Sequence, residues 1–249
     1  MANQVFKGLR AEFHICIFIF FIALLSNTLA TMIKNLGDQN SILHSFIAEI
    51  RDEAIQQDPI RFRRNLERVG EIFAYEISKT LLYEPSEVTT PLGTAEVPKL
   101  ADNMVLATIL RAGLPIHNGF LNYFDRAENS FISAYRVYGK DNTFNIRFEH
   151  ISGPTIDDKV VILSDPMLAT GASAVLAYEA LLGKGKPKHV HLACIIASKE
   201  GIEHVKQKLP MSKTTIWVGA IDDELTSKAY IVPGLGDAGD LAFGSKSDD

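Results

Sequence analysis

Lys159-Val-Val-Ile-Leu-Ser-Asp-Pro-Met-Leu-Ala-Thr-Gly-Ala-Ser173 is the stretch that decides how this chain of 249 residues folds. Val160 to Leu163 is apolar throughout and rich in β-branched residues, which predicts a central parallel strand buried on both faces. Asp165-Pro166 ends it, because proline removes a ladder donor and restricts the residue before it. Ala169-Thr-Gly-Ala-Ser173 then turns the chain into a helix expected to carry Val175, Leu176, Ala180 and Leu181 on one side. A strand, a loop of small residues and a helix start make an anion site. Backbone N–H groups and the positive helix end converge there, and Thr170 and Ser173 add hydroxyls. The arrangement suits a phosphate monoester, with Asp165 at the strand's carboxyl end able to hold sugar hydroxyls. Taken alone, the loop also reads as an ordinary strand-to-helix turn with a serine cap. It is neither a Walker A loop nor a Gly-x-Gly-x-x-Gly loop.

Length and composition fit one α/β domain with additions, or at most two small ones. A net charge of −5 argues against a nucleic-acid footprint, which shows as a basic balance or stripe. The two cysteines, Cys16 and Cys194, give no disulfide framework and fit a reducing compartment. The first 31 residues are different in kind. Lys7 and Arg10 precede the apolar run Ile15 to Leu25, and Thr28-Leu-Ala30 has the form of a cleavage site. Three readings stand for this leader: an extension upstream of a true start at Met32, a signal or anchor, or a structural element. The body is taken as 32–249.

Along the body, Asn40 and Ser41 offer caps for a helix carrying Ile42, Leu43, Phe46, Ile47 and Ile50 at helical spacing. Asp58-Pro59 is a cap followed by proline at the first helical position. Phe62, Leu66, Val69, Phe73 and Ile77 make the buried stripe of that second helix, with Arg61, Arg63, Arg64 and Arg68 largely on its other faces, read as a solvated or subunit-contact face in preference to a ligand patch. Residues 83–102 read as a loop or strand-pair arm outside the main sheet. Met104 to Leu110 is an apolar strand ending at Arg111-Ala-Gly113, where small residues beside an arginine suit a dianion such as pyrophosphate. Phe131 to Val137 is a further strand, placing Arg136 near its end. Residues 138–157 are expected to be a long functional loop, from which Arg147, Glu149 and His150 could reach the site, with plain solvation the preferred reading for each. Lys188 to Ala197 predicts a strand, Glu200 to Leu209 a helix, and Thr214 to Ile221 the last sheet strand. His189 and His191 share a strand face, but no third ligand is spaced to complete a metal site, and none is assigned. Asp222-Asp-Glu224 reads as a solvated strand end in preference to a cation site.

Tyr230-Ile-Val-Pro-Gly-Leu-Gly-Asp-Ala-Gly-Asp240 is too rich in glycine for a helix or central strand. It presents main-chain donors and acceptors to a flat ligand, and the carbonyl–imide edge of uracil suits such recognition.

Three of these stretches together carry a resemblance. Asp165-Pro-Met-Leu-Ala-Thr-Gly resembles the ribose-5-phosphate loop of the phosphoribosyltransferases in its uracil-specific form. Ile109-Leu-Arg-Ala-Gly-Leu114 resembles the pyrophosphate loop of the same family, although Pro115-Ile-His-Asn departs from its usual Gly-Met-Val-Asp and leaves His117 a helix-start residue. The stretch Tyr230 to Asp240 is similar, almost letter for letter, to the uracil-binding hood. The likeness runs from about Met32 to the end.

The resemblance implies an α/β fold with a phosphoribosyltransferase-type parallel-sheet core, flanking helices and a small C-terminal hood. It implies transfer of a phosphoribosyl group from phosphoribosyl diphosphate (PRPP) to uracil N1, giving UMP. Arg111, Arg136 and Asp165 would be the catalytic residues. The donor would contact Arg111, Arg136, Asp165, Pro166, Met167, Leu168, Ala169, Thr170, Gly171, Ala172, Ser173 and Asp237. Uracil would contact Ile231, Gly236, Asp237 and Ala238. Ala172 stands where the family commonly has a second glycine. Residues 138–157 would be the mobile flap closing over the donor. Mg2+ would arrive on the donor's pyrophosphate, and no side chain stands out as a base for uracil N1. Uracil and PRPP would be the partners, with no nucleic acid and no membrane, in a cytoplasmic homo-oligomer. Two further readings are an RNA-binding pyrimidine-operon regulator of the same fold and a membrane-tethered or secreted binding protein.

Overall fold

Val160 and its neighbours lie at the centre of the sheet. In the computed structural model, which describes residues 32–138 and 144–245 (backbone alone over 135–138 and 144–148), strand β7 (Val160–Ser164) is buried along its whole length. It pairs in parallel with β4 (Met104–Leu110) on one side and β9 (His189–Ser198) on the other. Beyond β9 come β10 (Thr214–Asp222) and the edge strand β1 (Ile33–Asn35), both parallel. Beyond β4 lie β5 (Glu128–Tyr138), also parallel, and β6 (Phe144–Ser152), which runs antiparallel. A two-residue strand, β8 (Met167–Leu168), pairs with the end of β9.

Alternation along the strands divides the core between the two faces. Met104, Leu106, Val160, Ile162 and Trp217 pack beneath α1 (Leu43–Arg51), α2 (Pro59–Ser78) and α3 (Leu114–Leu121). Val105, Ala107, Ile109, Val161 and Leu163 face α4 (Ala172–Leu182) and α5 (Lys199–Lys208). With both faces covered, central strands have no reason to alternate with polar residues, and β7 and the part of β9 from Leu192 to Ala197 do not. Asp58 caps α2 as its sequence predicts, accepting from the Ile60 and Arg61 amides at 2.9 and 3.3 Å. The stripe Phe62, Leu66, Val69, Phe73 and Ile77 is no more than 1% exposed. Each such side chain contributes about 1.5–3 kcal/mol by leaving water.

Several expectations shift. The buried face of α4 is Ala174, Val175, Ala177, Tyr178 and Leu181, while Leu176 and Ala180 lie at its margins. The helix has no serine cap, since Gly171 holds that place with φ 78°. The stretch from 144 to 152 is a strand rather than loop: Phe144, Ile146 and Phe148 alternate, and β6 pairs with β5 through a register shift at Ser133/Ala134. Residues 139–143 of the expected flap lie outside the described residues. The 83–102 segment is a two-stranded arm, β2 (Tyr83–Thr90) with β3 (Gly93–Leu100), pairing with no strand of the main sheet. The arginines of α2 are paired as well, with Arg61 and Arg64 exposed as expected. Arg61 meets Glu49, Arg64 meets Glu67 and Glu71, and Arg68 lies over the Phe46 ring.

Candidate active site

Parallel sheets place their functional loops at the carboxyl ends of the strands, and this chain gathers the ends of β4, β7 and β10 there. The Asp165–Gly171 loop leaves β7, the Arg111–Gly113 turn leaves β4, and the C-terminal segment returns above both. That segment includes β12 (Ile231–Val232), paired with β11 (Glu224–Leu225), a cis Val232–Pro233 bond and a short helix, α6 (Ala238–Phe243). The glycine-rich stretch is thus helical over its last part. Gly234 and Gly236 take φ of 56° and 90°, a region that disfavours a Cβ, and a Cβ on Gly234 would lie 2.1 Å from the Ile231 carbonyl oxygen.

A cleft opens between these three pieces. It is lined by Ile109, Leu110, Arg111 and Ala112 from the β4 end, by Ala134, and by Asp165, Met167, Ala169 and Ser173 from the loop. Ala229, Tyr230, Ile231, Gly236, Asp237, Ala238 and Gly239 complete it from the hood. Most residues expected at the site therefore share one cavity. Pro166 and Leu168 are different: both are buried, and the Pro166 carbonyl accepts from the Ile195 and Ile196 amides at 3.1 Å. Their side chains support the loop from inside rather than line the cleft. Thr170, Gly171 and Ala172 lie on the loop between Ala169 and Ser173, and Thr170 Oγ1 accepts from the Ala172 amide at 3.4 Å. Arg136 sits in β5 opposite Ile146, its side chain outside the described residues. Ala172 is half-buried, so the loop accommodates its methyl group.

Asp165 Oδ1 accepts from the Met167 amide at 3.3 Å, which turns its carboxylate back over the loop. Asp237 caps α6, accepting from the Gly239 and Asp240 amides at 2.9 and 3.0 Å. Arg111 Nη2 reaches Asp240 Oδ1 at 3.0 Å and the Gly244 carbonyl at 3.2 Å, while its buried Nε has no partner among the described residues. The Leu110–Arg111 peptide is cis.

The sequence missed the anchors of the hood. Asp222 is buried and takes Arg51 in a two-pronged ion pair, 2.8 Å on each oxygen. It also accepts from the Gly234 amide at 2.9 Å, while Arg51 donates to the Gly234 carbonyl at 2.9 Å. Burial would raise the Asp222 carboxyl, but Arg51 and the Gly234 N–H outweigh it and hold it below the usual range. Far from being a solvated strand end, Asp222 fixes the turn that carries the hood. A third arginine, Arg63, donates to the Ala242 carbonyl at 2.6 Å and lies over Phe243. A signal was present: Asp222 closes a parallel strand on the side where sites form.

The histidines are packed. His189 Nε2 meets Thr215 Oγ1 at 2.9 Å, and Trp217 Nε1 donates to His191 Nδ1 at 3.1 Å. Burial and the neighbouring His189 push His191 down to about 3. The ring of buried His117 lies 5.2 Å from that of Phe131 and tilted to it by 52°, and burial lowers its pKa. Among the described residues, no group of three or more His, Cys, Asp or Glu side chains is placed to hold a metal ion.

This juxtaposition of an anion loop, an arginine turn and a glycine hood matches a known family. Residues 38–245 match the uracil phosphoribosyltransferase family. The chain belongs to that family. A uracil phosphoribosyltransferase from Porphyromonas gingivalis is 58% identical over 212 residues, 85% of this chain and 98% of its own. One from Methanothermobacter thermautotrophicus is 39% identical over 211 residues, 84% and 94% of the two chains. The solved structure of the AQ2163 protein from Aquifex aeolicus, at 30% identity, superposes with a TM-score of 0.76 over 86% of this chain and 98% of its own. The likeness to uracil phosphoribosyltransferases thus spans both sides of the cleft.

Proposed function

We infer that this cleft runs the family's reaction: the 5-phosphoribosyl group of PRPP passes to N1 of uracil, giving UMP and pyrophosphate in pyrimidine salvage. The observation that carries the reading is the facing of the Asp165–Ser173 loop and the Ile231–Ala238 hood across one cavity. The loop end, with backbone donors and the start of α4, takes the 5-phosphate, and Asp165 takes the ribose hydroxyls. Arg111, joined by Arg136, takes the pyrophosphate. The hood takes uracil through main-chain groups at Ile231, Gly236, Asp237 and Ala238.

The new bond forms between N1 and the anomeric carbon as the bond to pyrophosphate breaks. Cations there would neutralise the oxygen that gains charge, which is where preorganised charge accelerates most. Holding both substrates in line in one cleft supplies much of the remaining acceleration. Mg2+ carried on the pyrophosphate would offset its charge. Among the described residues that line the cleft, two carry carboxylates, Asp165 and Asp237, a donor set suited to an ion that keeps phosphate oxygens as ligands.

The chain works without nucleic acid, as its acidic balance suits. No helix among the described residues is long and apolar enough to cross a membrane, and we place the enzyme in the cytoplasm with its substrates. We take 32–249 as the catalytic body, with the sequence of 1–31 counted as a leader. The β2–β3 arm exposes Tyr83, Leu92 and Leu100, with Leu92 fully in solvent, and supports a homo-oligomer in which another copy covers it. Light scattering measures that state. The reaction is tested by UMP formation from labelled uracil, with hypoxanthine and orotate as competing bases. Turnover of either competitor at the uracil rate would overturn the base assignment.

A further inference from the structure

The sugar-phosphate loop is held from behind by the first turns of α5. Ser198 Oγ donates to the Ala169 carbonyl at 2.5 Å, and His204 Nδ1 donates to the Thr170 carbonyl at 2.8 Å. A carbonyl only accepts, so Nδ1 carries the imidazole proton. The backbones also touch: a Cβ on Gly201 would meet the Ala169 oxygen at 2.3 Å, and one on Gly171 would meet the Gly201 oxygen at 2.7 Å. Both peptides, Ala169–Thr170 and Thr170–Gly171, are trans. A planar trans peptide sets its C=O and N–H in opposite directions. Drawing two successive carbonyls toward α5 therefore turns the Thr170 and Gly171 amides away from it. Neither amide donates a hydrogen bond among the described residues.

We propose that Ser198 and His204 are positioning residues that aim the Thr170 and Gly171 N–H groups at the donor's 5-phosphate. This rests on the reading of the Asp165–Ser173 loop as the sugar-phosphate site. Ser198 also caps α5 by accepting from the Gly201 amide at 2.8 Å, so its loss mixes two effects. His204 is half-buried on an exposed helix face and is the cleaner probe.

His204→Ala should raise the KM for PRPP about three- to tenfold, the scale of one side-chain hydrogen bond. The KM for uracil and the kcat should stay within about twofold. His204→Asn places an amide N–H where Nδ1–H stood and should restore the PRPP KM. His204→Gln, whose donor sits one bond farther out, should not. A wild-type PRPP KM in His204→Ala overturns the proposal, as does equal rescue by Asn and Gln or an equal rise in both KM values. Asp165→Asn is run alongside. If it leaves PRPP binding by calorimetry unchanged, the reading of the loop falls. If it weakens binding while His204→Ala does not, only the role of His204 falls.

Discussion

Arg111 Nη2 lies 3.0 Å from Asp240 Oδ1, so the arginine assigned to pyrophosphate is tied here to the first turn of the hood helix. Both side chains are 38% exposed, and such a pair contributes only about 0.2–1 kcal/mol. An incoming pyrophosphate competes with Asp240 for the same guanidinium. Asp240→Asn should lower the KM for PRPP by about two- to fivefold. An unchanged KM would show that Asp240 does not compete.

Arg111→Ala removes the charge-assisted contact itself. The PRPP KM should rise about tenfold, the lower end for such contacts given the exposure of the site. The uracil KM should move little. Equal changes for both substrates in steady-state kinetics would contradict the role.

Asp165 sits at the loop mouth rather than in packing. Asp165→Asn should cut kcat by about 10²-fold, the scale of losing one electrostatic contact to the reacting group. Differential scanning calorimetry should find the melting temperature unchanged.

Asp222→Asn breaks the anchor of the hood from below. It should raise the uracil KM several-fold while sparing the PRPP KM, and lower stability by about 1–3 kcal/mol. The sign with pH follows from the depressed carboxyl. Its contribution is present above the unfolded pKa of about 3.9 and is lost only as pH falls through the lower folded value. Wild-type uracil affinity should therefore lose nothing through Asp222 between pH 7 and 5.

His191 sets a wider acid window. Its folded pKa of about 3 lies below the ordinary value of about 6.5, so the unfolded chain binds more protons between them. Stability from this site is complete above pH 6.5 and declines as pH falls toward 3. His189 adds to the depression and Asp102 opposes it. His191→Asn keeps an acceptor for Trp217 and should flatten the pH dependence of urea unfolding over that range.

How much of this was legible depends on how far apart the partners lie in the chain. Asp58-Pro59 and the glycines of the hood restrict the backbone locally, and sequence alone placed them. The Asp222–Arg51 pair spans 171 positions and the His204–Thr170 bond 34, and no local pattern reveals either. Strand β6 was hidden for another reason. Its alternation from Phe144 to Phe148 is broken by the register shift at Ser133/Ala134, so Ile151 falls out of phase and the run resembles loop.

The edge strand β1 pairs Ile33 with Ile216, and the earliest helices are held by groups near the end: Arg51 by Asp222, Arg63 by the Ala242 carbonyl. On the ribosome, at ~5–20 residues per second, Ile33 waits roughly 10–40 s for the strand it will join. Through that interval the apolar faces of α1 and α2 lack their full cover. A chain truncated before β10 lacks the strand that β1 pairs with, and with it Asp222, the partner of Arg51.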